Sequence, residues 1–192
     1  MRIIAGAWRG RRIEAPPGLA TRPTSDRARE GLFSMLTSRL GSFEGLKVAD
    51  LFAGTGALGL EALSRGAAHC TFVEKDRAAL DMLKRNVAHL GAEARSDVRA
   101  QAVEHAPAPA PCDIVFMDPP YGAGLAQPAL ERAADWLAPG GWISLETRGE
   151  SVTLPPGLDI VVERRFGKAA LHLIRVASGH SSGLSDWEGD TI

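Results

Sequence analysis

The sequence contains two cysteines, one tyrosine and no long apolar run. Cys70 and Cys112 stand alone in apolar-leaning segments, which argues against a disulfide framework and against zinc-ligand spacing. The five histidines form no cluster either, so we assign no metal site. No segment is apolar enough for a membrane span, and the first residues lack the apolar core of a signal peptide. We therefore expect a cytoplasmic protein without a membrane partner.

The chain has the size and composition of one globular domain. Its 192 residues can bury a sizeable core, and its hydrophobic and charged fractions of 45% and 23% are typical of a soluble protein. We expect a monomer with a single domain over residues 1–177, in which residues 1–23 form a basic extension. Residues 178–192 should form a disordered tail.

Charge is distributed unevenly along the chain. The net charge is −1, but the first thirty residues contain seven arginines and three carboxylates, a balance of +4. The tail from Ser178 onward contains three carboxylates and no lysine or arginine. Because arginine suits bidentate contacts with phosphate and stacking on bases, the N-terminal cluster indicates a polyanionic partner. A solvated arginine-rich face is the alternative.

The apolar pattern predicts an α/β fold. From Leu46, strands and helices alternate, which indicates a parallel sheet with helices on both faces. The predicted strands are Lys47–Phe52, Cys70–Glu74, Val98–Ala102, Ile114–Met117 and Trp142–Glu146, and the predicted helices are Ala57–Arg65, Arg77–Leu90 and Pro128–Leu137.

Both ends of the chain depart from this alternation. At the N-terminus, Arg2–Ala5 and Arg11–Ala15 should form a short hairpin, followed by a helix that Thr24 or Ser25 caps. At the C-terminus, Leu158–Phe166 and Ala170–Val176 have no helix between them. They should therefore pair as an antiparallel hairpin at the edge of the sheet.

A glycine-rich loop follows the first strand of the sheet. The segment from Asp50 to Gly59 contains the pattern Gly54-x-Gly56-x-x-Gly59, in which glycine lets a ligand approach the backbone closely. Glu74 lies at the offset expected for a carboxylate that binds a ribose hydroxyl. NAD(P), FAD and S-adenosylmethionine all fit this pattern. Asp50 favours the last, because it would repel a pyrophosphate and attract an ammonium group; its alternative role is to cap the loop amides.

A second motif, Asp118-Pro119-Pro120-Tyr121, directly follows the strand Ile114–Met117. Ligands of open α/β sheets bind beyond the carboxyl ends of the strands, so this motif should face the same crevice as the glycine loop. Asp118 and the carbonyl of Pro119 can accept hydrogen bonds from an exocyclic amine, which frees the nitrogen lone pair for attack. Tyr121 can stack on a base. The motif predicts methyl transfer to an amino nitrogen, although an ordinary turn would use the same residues.

The two motifs together resemble those of class I methyltransferases that act on amino nitrogens. Two N-terminal blocks narrow the resemblance, Arg2-Ile-Ile-Ala-Gly-Ala-Trp-Arg-Gly-Arg11 and Arg22-Pro-Thr-Ser-Asp-Arg-Ala-Arg-Glu30. They look like the corresponding blocks of the bacterial small-subunit ribosomal RNA guanine-N2 methyltransferases of the RsmD type. The resemblance extends over roughly residues 2–176.

This resemblance implies a seven-stranded Rossmann-like sheet, S-adenosylmethionine as methyl donor, and a guanosine of 16S rRNA as target, within an assembling or complete small ribosomal subunit. It implies catalytic roles for Asp118, Pro119 and Tyr121, and cofactor contacts by Asp50, Phe52, Gly54, Gly56, Glu74, Lys75, Gln101 and Asp118. Gln101 stands where the family has an Asp or Asn that binds the adenine amine. The expected RNA contacts are Arg9, Arg11, Arg12, Arg22 and Arg27, of which the last two could instead close over the cofactor or a flipped base.

Three other functions fit parts of the pattern. An adenine-N6 nucleic-acid methyltransferase shares the Asp-Pro-Pro-Tyr motif, but the chain has no room for a separate target-recognition domain. A non-catalytic RNA-binding factor with the same fold would not need the acceptors of Asp118 and Pro119. An NAD(P)-linked oxidoreductase would need a hydride-transfer apparatus, of which the sequence has no sign.

Overall fold

A computed structural model describes residues 1–15, 23–120, 122, 124–149 and 151–176. Strands and helices alternate in it as the apolar pattern predicts. The helices are α1 (Pro23–Leu40), α2 (Ala57–Ser64), α3 (Arg77–Leu90) and α4 (Ala126–Ala134), with two single-turn 3-10 helices at Glu93–Arg95 and Val103–His105. The strands are β1 (Lys47–Leu51), β2 (His69–Glu74), β3 (Ser96–Ala100), β4 (Cys112–Met117), β5 (Leu137–Thr147), β6 (Leu158–Phe166) and β7 (Ala169–Val176).

Within the described residues these strands form one seven-stranded sheet in the order β3-β2-β1-β4-β5-β7-β6. The first five strands are parallel, whereas β7 runs antiparallel to β5 and β6 antiparallel to β7. The predicted C-terminal hairpin is therefore confirmed at the sheet edge. This is the Rossmann-like class I methyltransferase fold that the resemblance implied.

The sheet is buried between two layers because its central strands are apolar on both faces. One cluster packs α1, α2 and α3 on the face that includes Phe72 and Phe116. The other cluster packs α4 on the face that includes Val115 and Ile143. Among the helices of the described residues, none combines the length and the apolar character needed to cross a bilayer.

The predicted bounds of α3 are confirmed, because its ends have strong local signals. Asp76 accepts a hydrogen bond from the N–H of Ala79 at 2.8 Å, as an N-cap does. Gly91 ends the helix with a φ of 69° in the left-handed region.

The observed bounds of several other helices and strands differ from the predicted ones. The predicted start of α4 at Pro128 is wrong: the helix begins at Ala126, because a proline is tolerated throughout the first turn. The third strand starts and ends two residues earlier than predicted. The fifth strand extends back to Leu137, which pairs with Cys112 beside a register shift. The tail over residues 178–192, predicted to be disordered, lies outside the described residues.

The N-terminal hairpin is shorter than predicted. Its pairing forms a single antiparallel bridge, between Arg2 and Arg12, because the N–H groups of Ile4 and Ala5 donate to the buried carboxylate of Glu61 on α2, at 2.7 and 3.0 Å. A side chain of the domain thus replaces the partner strand. The N-terminal segment, residues 1–15, packs against the domain, and Ile3 and Ile13 belong to the core.

Candidate active site

The carboxyl ends of the first four strands meet at one edge of the sheet, which we call the carboxyl edge. A cavity of about 280 Å³ opens there, close to the lower end of the range for small-molecule sites. Of the predicted cofactor residues it is lined by Phe52, Glu74, Lys75, Gln101 and Asp118. Asp50, Gly54 and Gly56 are not among its lining residues; they belong to strand β1 and to the loop between β1 and α2.

The three glycines of the loop have different roles. A Cβ on Gly56 would lie 2.5 Å from a methyl group of Leu83, and a Cβ on Gly59 would lie 2.3 Å from the ring of Phe72. Both glycines therefore allow α2 to pack closely on its neighbours. Gly54 differs, because at its φ of 55° a Cβ would have nothing nearer than the carbonyl of Phe52, at 4.0 Å. Gly54 is thus the glycine that leaves open space for a ligand.

Phe52 has a backbone conformation that is unusual for a residue with a side chain. Its φ is 62°, in the left-handed region, which costs an L-residue roughly 1–2 kcal/mol. The ring is half-buried and lines the cavity. Strain of this kind concentrates at functional sites, where the surroundings hold it in place.

Glu74 and Asp50 hold the loop in position from two sides. The carboxylate of Glu74 accepts hydrogen bonds from the N–H of Gly54 at 2.8 Å and of Asp76 at 2.7 Å. The buried carboxyl group of Asp50 accepts one from the N–H of Gly59 at 2.9 Å. Burial, opposed by that hydrogen bond and aided by the charges of Asp118 and Glu74, raises the pKa of Asp50 to about 7. Asp50 therefore caps an amide in the first turn of α2, and a cation near it would favour its charged form.

The cavity is acidic. Glu74, Asp76, Glu104 and Asp118 line it, against one cation, Lys75. Such a surface attracts a sulfonium or ammonium group and disfavours a pyrophosphate. Asp76 and Glu104 were not identified from the sequence, where Asp76 is predictable only as a helix cap and Glu104 follows the third strand without a motif.

Part of the lining of the cavity is apolar. Phe52, Val73, Ala102 and Val103 provide it. Gln101 lies just beyond the end of β3 on the cavity rim, because β3 ends at Ala100. Its amide can both donate and accept hydrogen bonds, so it can take the role of the Asp or Asn of the family.

The Asp-Pro-Pro motif directly follows β4 at the same edge. Asp118 is exposed, Pro119 is buried, and Pro120 lines the cavity. The fixed φ of proline stiffens this turn and limits the directions in which the Asp118 carboxylate and the Pro119 carbonyl can point. Two acceptors thus adjoin an acidic, partly apolar cavity, and this arrangement can hold an amine next to a cationic cofactor. Tyr121 lies outside the described residues.

The arginines of the N-terminal segment lie away from this edge. The N–H of Ala7 donates to the carbonyl of Ser64 at the end of α2, at 2.7 Å, and the guanidinium of Arg11 donates to the carbonyl of His89 in the last turn of α3. Helices that link parallel strands return from the carboxyl ends to the amino ends. The turn with Arg9 and Arg11 therefore lies toward the edge of the sheet at which the parallel strands begin, which we call the amino edge. This edge is opposite Asp118, and the turn does not project freely from the domain.

The other predicted RNA-binding arginines have different surroundings from those of Arg11. Arg9, Arg12 and Arg27 are exposed, and none has a side-chain partner within the part of the chain that the structure describes. Arg22 lies outside that part. The predicted RNA-binding arginines that the structure describes therefore lie in two regions, the N-terminal turn and helix α1.

A buried amide connects the N-terminal segment to the glycine loop. Asn86 of α3 accepts from the N–H of Glu14 at 2.7 Å, and its NH₂ group donates to the carbonyls of Glu14 at 3.1 Å and of Thr55 at 2.9 Å. The side chain of Asn86 is 1% exposed. Its hydrogen bonds fix the segment and the loop relative to each other.

Comparison with known proteins agrees with this geometry. The family model described as Conserved hypothetical protein 95 matches residues 1–175. The chain is 40% identical over 187 residues to Ribosomal RNA small subunit methyltransferase D of Escherichia coli strain K12. The matched residues cover 94% of this chain and 93% of the relative. Its similarity to the Haemophilus influenzae protein of the same name is 36% identity over 163 residues, 81% of this chain and 83% of that one.

A solved structure gives the same result. The putative methyltransferase yhhF from Escherichia coli is 38% identical, with a TM-score of 0.81 over 93% of this chain and 99% of that chain. The similarity therefore includes the N-terminal segment and the C-terminal hairpin as well as the sheet. The chain belongs to the Conserved hypothetical protein 95 family and is a methyltransferase of the RsmD type.

Proposed function

We propose that this methyltransferase transfers a methyl group from S-adenosylmethionine to the N2 amine of a guanosine in 16S rRNA. The observation that carries the proposal is the acidic cavity that adjoins Asp118 and Pro120 at the carboxyl edge. Its charge suits a cationic donor, and the adjoining motif offers acceptors for an amine. The name of the Escherichia coli relative, Ribosomal RNA small subunit methyltransferase D, supports rRNA of the small subunit as the substrate.

The residues of the cavity fit the donor. The carboxylate of Glu74 has lone pairs left for ribose hydroxyls after its two backbone hydrogen bonds. Gln101 offers an amide to the adenine amine, and Phe52 with Val103 offers an apolar wall to the adenine ring. Asp50 and Lys75 complement the ammonium and carboxylate of the methionine moiety. When bound, S-adenosylmethionine supplies a methyl carbon that a nitrogen lone pair can attack.

The chain's own contribution to the reaction is positioning and charge stabilisation. The Asp118 carboxylate and the Pro119 carbonyl accept hydrogen bonds from the guanine amine, which keeps its nitrogen pyramidal and its lone pair free. Asp118 then stabilises the positive charge that the nitrogen acquires. Tyr121 stacks on the base, a contact worth about 1–3 kcal/mol in nucleic-acid sites. No strong base is needed, because the methylated nitrogen is acidic enough to lose its proton to water.

The substrate is a folded RNA that displays its base, since the chain offers little protein for sequence recognition. Arg9, Arg11 and Arg12 hold the RNA at the N-terminal turn, away from the carboxyl edge where the reaction takes place. Arg27, on α1, contacts the RNA from a separate element. Such contacts add affinity and orientation without reading sequence.

Mass mapping of small-subunit rRNA tests the proposal. rRNA from a strain that lacks the protein should miss one methyl group on one guanosine, and a plasmid copy of the gene should restore it. A missing methyl group on an adenine N6 instead would favour the adenine alternative. An unchanged set of methylated nucleotides would contradict the proposal and favour a non-catalytic RNA-binding role.

A further inference from the structure

We propose that the tip of the β6–β7 hairpin is an RNA-binding surface that contacts phosphates beside the target base. This hairpin-tip surface consists of Arg164, Arg165 and Lys168. The nature of the polyanion rests on the proposed function, but the surface itself is defined by the topology and the charges described below.

The hairpin tip lies at the carboxyl edge of the sheet, the same edge as Asp118. Thr147, at the carboxyl end of β5, pairs with Ala170 at the start of the antiparallel strand β7. Phe166, at the end of β6, pairs with Ala169, so the two-residue turn Gly167-Lys168 lies at the same edge as Asp118. Only β5 and β7 separate β6 from β4. At about 4.8 Å per strand, the tip lies roughly 10–14 Å from β4.

The cavity lies mainly on one side of β4. The cavity residues Phe52, Glu74 and Gln101 follow β1, β2 and β3, on one side of β4. A base held at Asp118 must therefore connect to its strand across the other side, over β5, β7 and β6. The turn of the N-terminal segment cannot hold the RNA there, because it lies toward the amino edge. Two basic features of the described residues lie on the required side, Arg148 just after β5 and the hairpin tip.

The charges of the tip suit phosphate. Arg164 and Lys168 are exposed, and neither has an ion-pair or hydrogen-bond partner among residues that the structure describes. The side chain of Arg165 is 81% exposed, with Glu163 at 3.6 Å as a weak partner that offsets part of its charge. Exposed pairs at that distance contribute little, so Arg165 can exchange Glu163 for a phosphate.

The tip is also firmly supported. Gly167 has a φ of 63°, as the first residue of a two-residue type II′ turn requires. The ring of Phe166 packs on α1, where a Cβ on Gly31 would lie 2.8 Å from it. Arg27 lies one helical turn before Gly31 on the same face of α1, so a fourth exposed cation faces the hairpin side. The turn and the contact of Phe166 with α1 therefore fix the backbone of the tip.

Removing two charges from the tip tests the proposal. Arg164→Ala/Lys168→Ala should weaken binding to in vitro transcribed 16S rRNA and to small-subunit particles, and raise the KM for RNA. The slope of log K against log salt should fall by about 0.7 for each lost phosphate contact, about 1.4 in all. Affinity for S-adenosylmethionine and the melting temperature should stay at the parent values, since neither residue touches the cavity or the core.

Lys47→Ala/Lys84→Ala is the matched control. It removes the same charge from two exposed lysines, at the amino end of β1 and on α3, and should leave the salt slope close to that of the parent. Equal slopes and affinities for the two double variants would overturn the proposal. Weaker binding to particles with unchanged binding to naked 16S rRNA would also overturn it, and would assign the surface to a protein partner. A parent enzyme that binds RNA through the tip without methylating it would contradict only the proposed function.

Discussion

Replacing Asp50 with Asn should remove a pH dependence from cofactor binding. The pKa of Asp50 in the free protein is about 7, mainly because the group is buried. If S-adenosylmethionine binds as proposed and its ammonium group requires the charged form of Asp50, the parent is about 9% competent at pH 6 and about 91% competent at pH 8. The affinity of the parent, divided by that of Asp50→Asn, should therefore rise about tenfold over this range.

Titration calorimetry measures this ratio and a second quantity, the protons released. At pH 7 the parent should release about half a proton on binding, seen as a dependence of the heat on the buffer, and Asp50→Asn should release less. Dividing by the variant cancels any titration of the cofactor itself. A ratio that does not change with pH would mean that cofactor binding does not require the charge of Asp50, and would leave Asp50 with the capping of the Gly59 amide as its whole function.

The same raised pKa predicts the stability of the unliganded protein. A carboxyl group whose folded-state pKa lies above its ordinary value of 3.8 contributes stability that is complete below that value and is lost as the pH rises through about 7. From this group alone the loss is on the order of 4 kcal/mol. Asp50→Asn should therefore gain stability relative to the parent between pH 5 and pH 8 in urea denaturation. A constant difference would show that the charge is solvated in the folded state.

Four further variants separate packing from binding. Gly59→Ala should lower stability by about 1–3 kcal/mol through overpacking, whereas Gly54→Ala should weaken cofactor binding more than it lowers stability; equal losses of both kinds would contradict the division of roles in the loop. Asn86→Ala should lower the free energy of unfolding by about 1–3 kcal/mol, because buried backbone groups lose their hydrogen-bond partners. A urea midpoint equal to that of the parent would contradict this expectation. Arg9→Ala/Arg12→Ala should reduce the salt slope of RNA binding by about 0.7 per lost contact and leave kcat unchanged; an unchanged slope would make the N-terminal turn purely structural.

The sheet could be predicted from the sequence because its signals are local. The apolar runs locate the strands, and Asp76 and Gly91 mark the ends of α3 within a residue. The carboxyl ends of the strands then bring Glu74, Gln101 and Asp118 together by topology alone, since all follow parallel strands. These residues do lie on one cavity.

What could not be predicted depends on contacts between distant residues. Glu61 reads as an ordinary helix residue, yet it is fully buried and pairs with the N–H groups of Ile4 and Ala5 and with Arg65. Those contacts fix where the N-terminal arginines lie, so their distance from the reaction edge was not visible in the sequence. The basic hairpin tip was missed for the same reason, because only the antiparallel register of β7 places Lys168 on the side of Asp118.

Methyl transfer by the purified protein tests the proposed activity most directly. Parent and Asp118→Ala should be incubated with labelled S-adenosylmethionine and small-subunit particles from a strain that lacks the protein, and the product nucleoside identified by mass spectrometry. We expect N2-methylguanosine from the parent and about a hundredfold less of it, or lower still, from Asp118→Ala, with the cofactor affinity of the variant within a few-fold of the parent. Equal turnover by the two proteins, or a methylated adenosine as the product, would contradict that expectation.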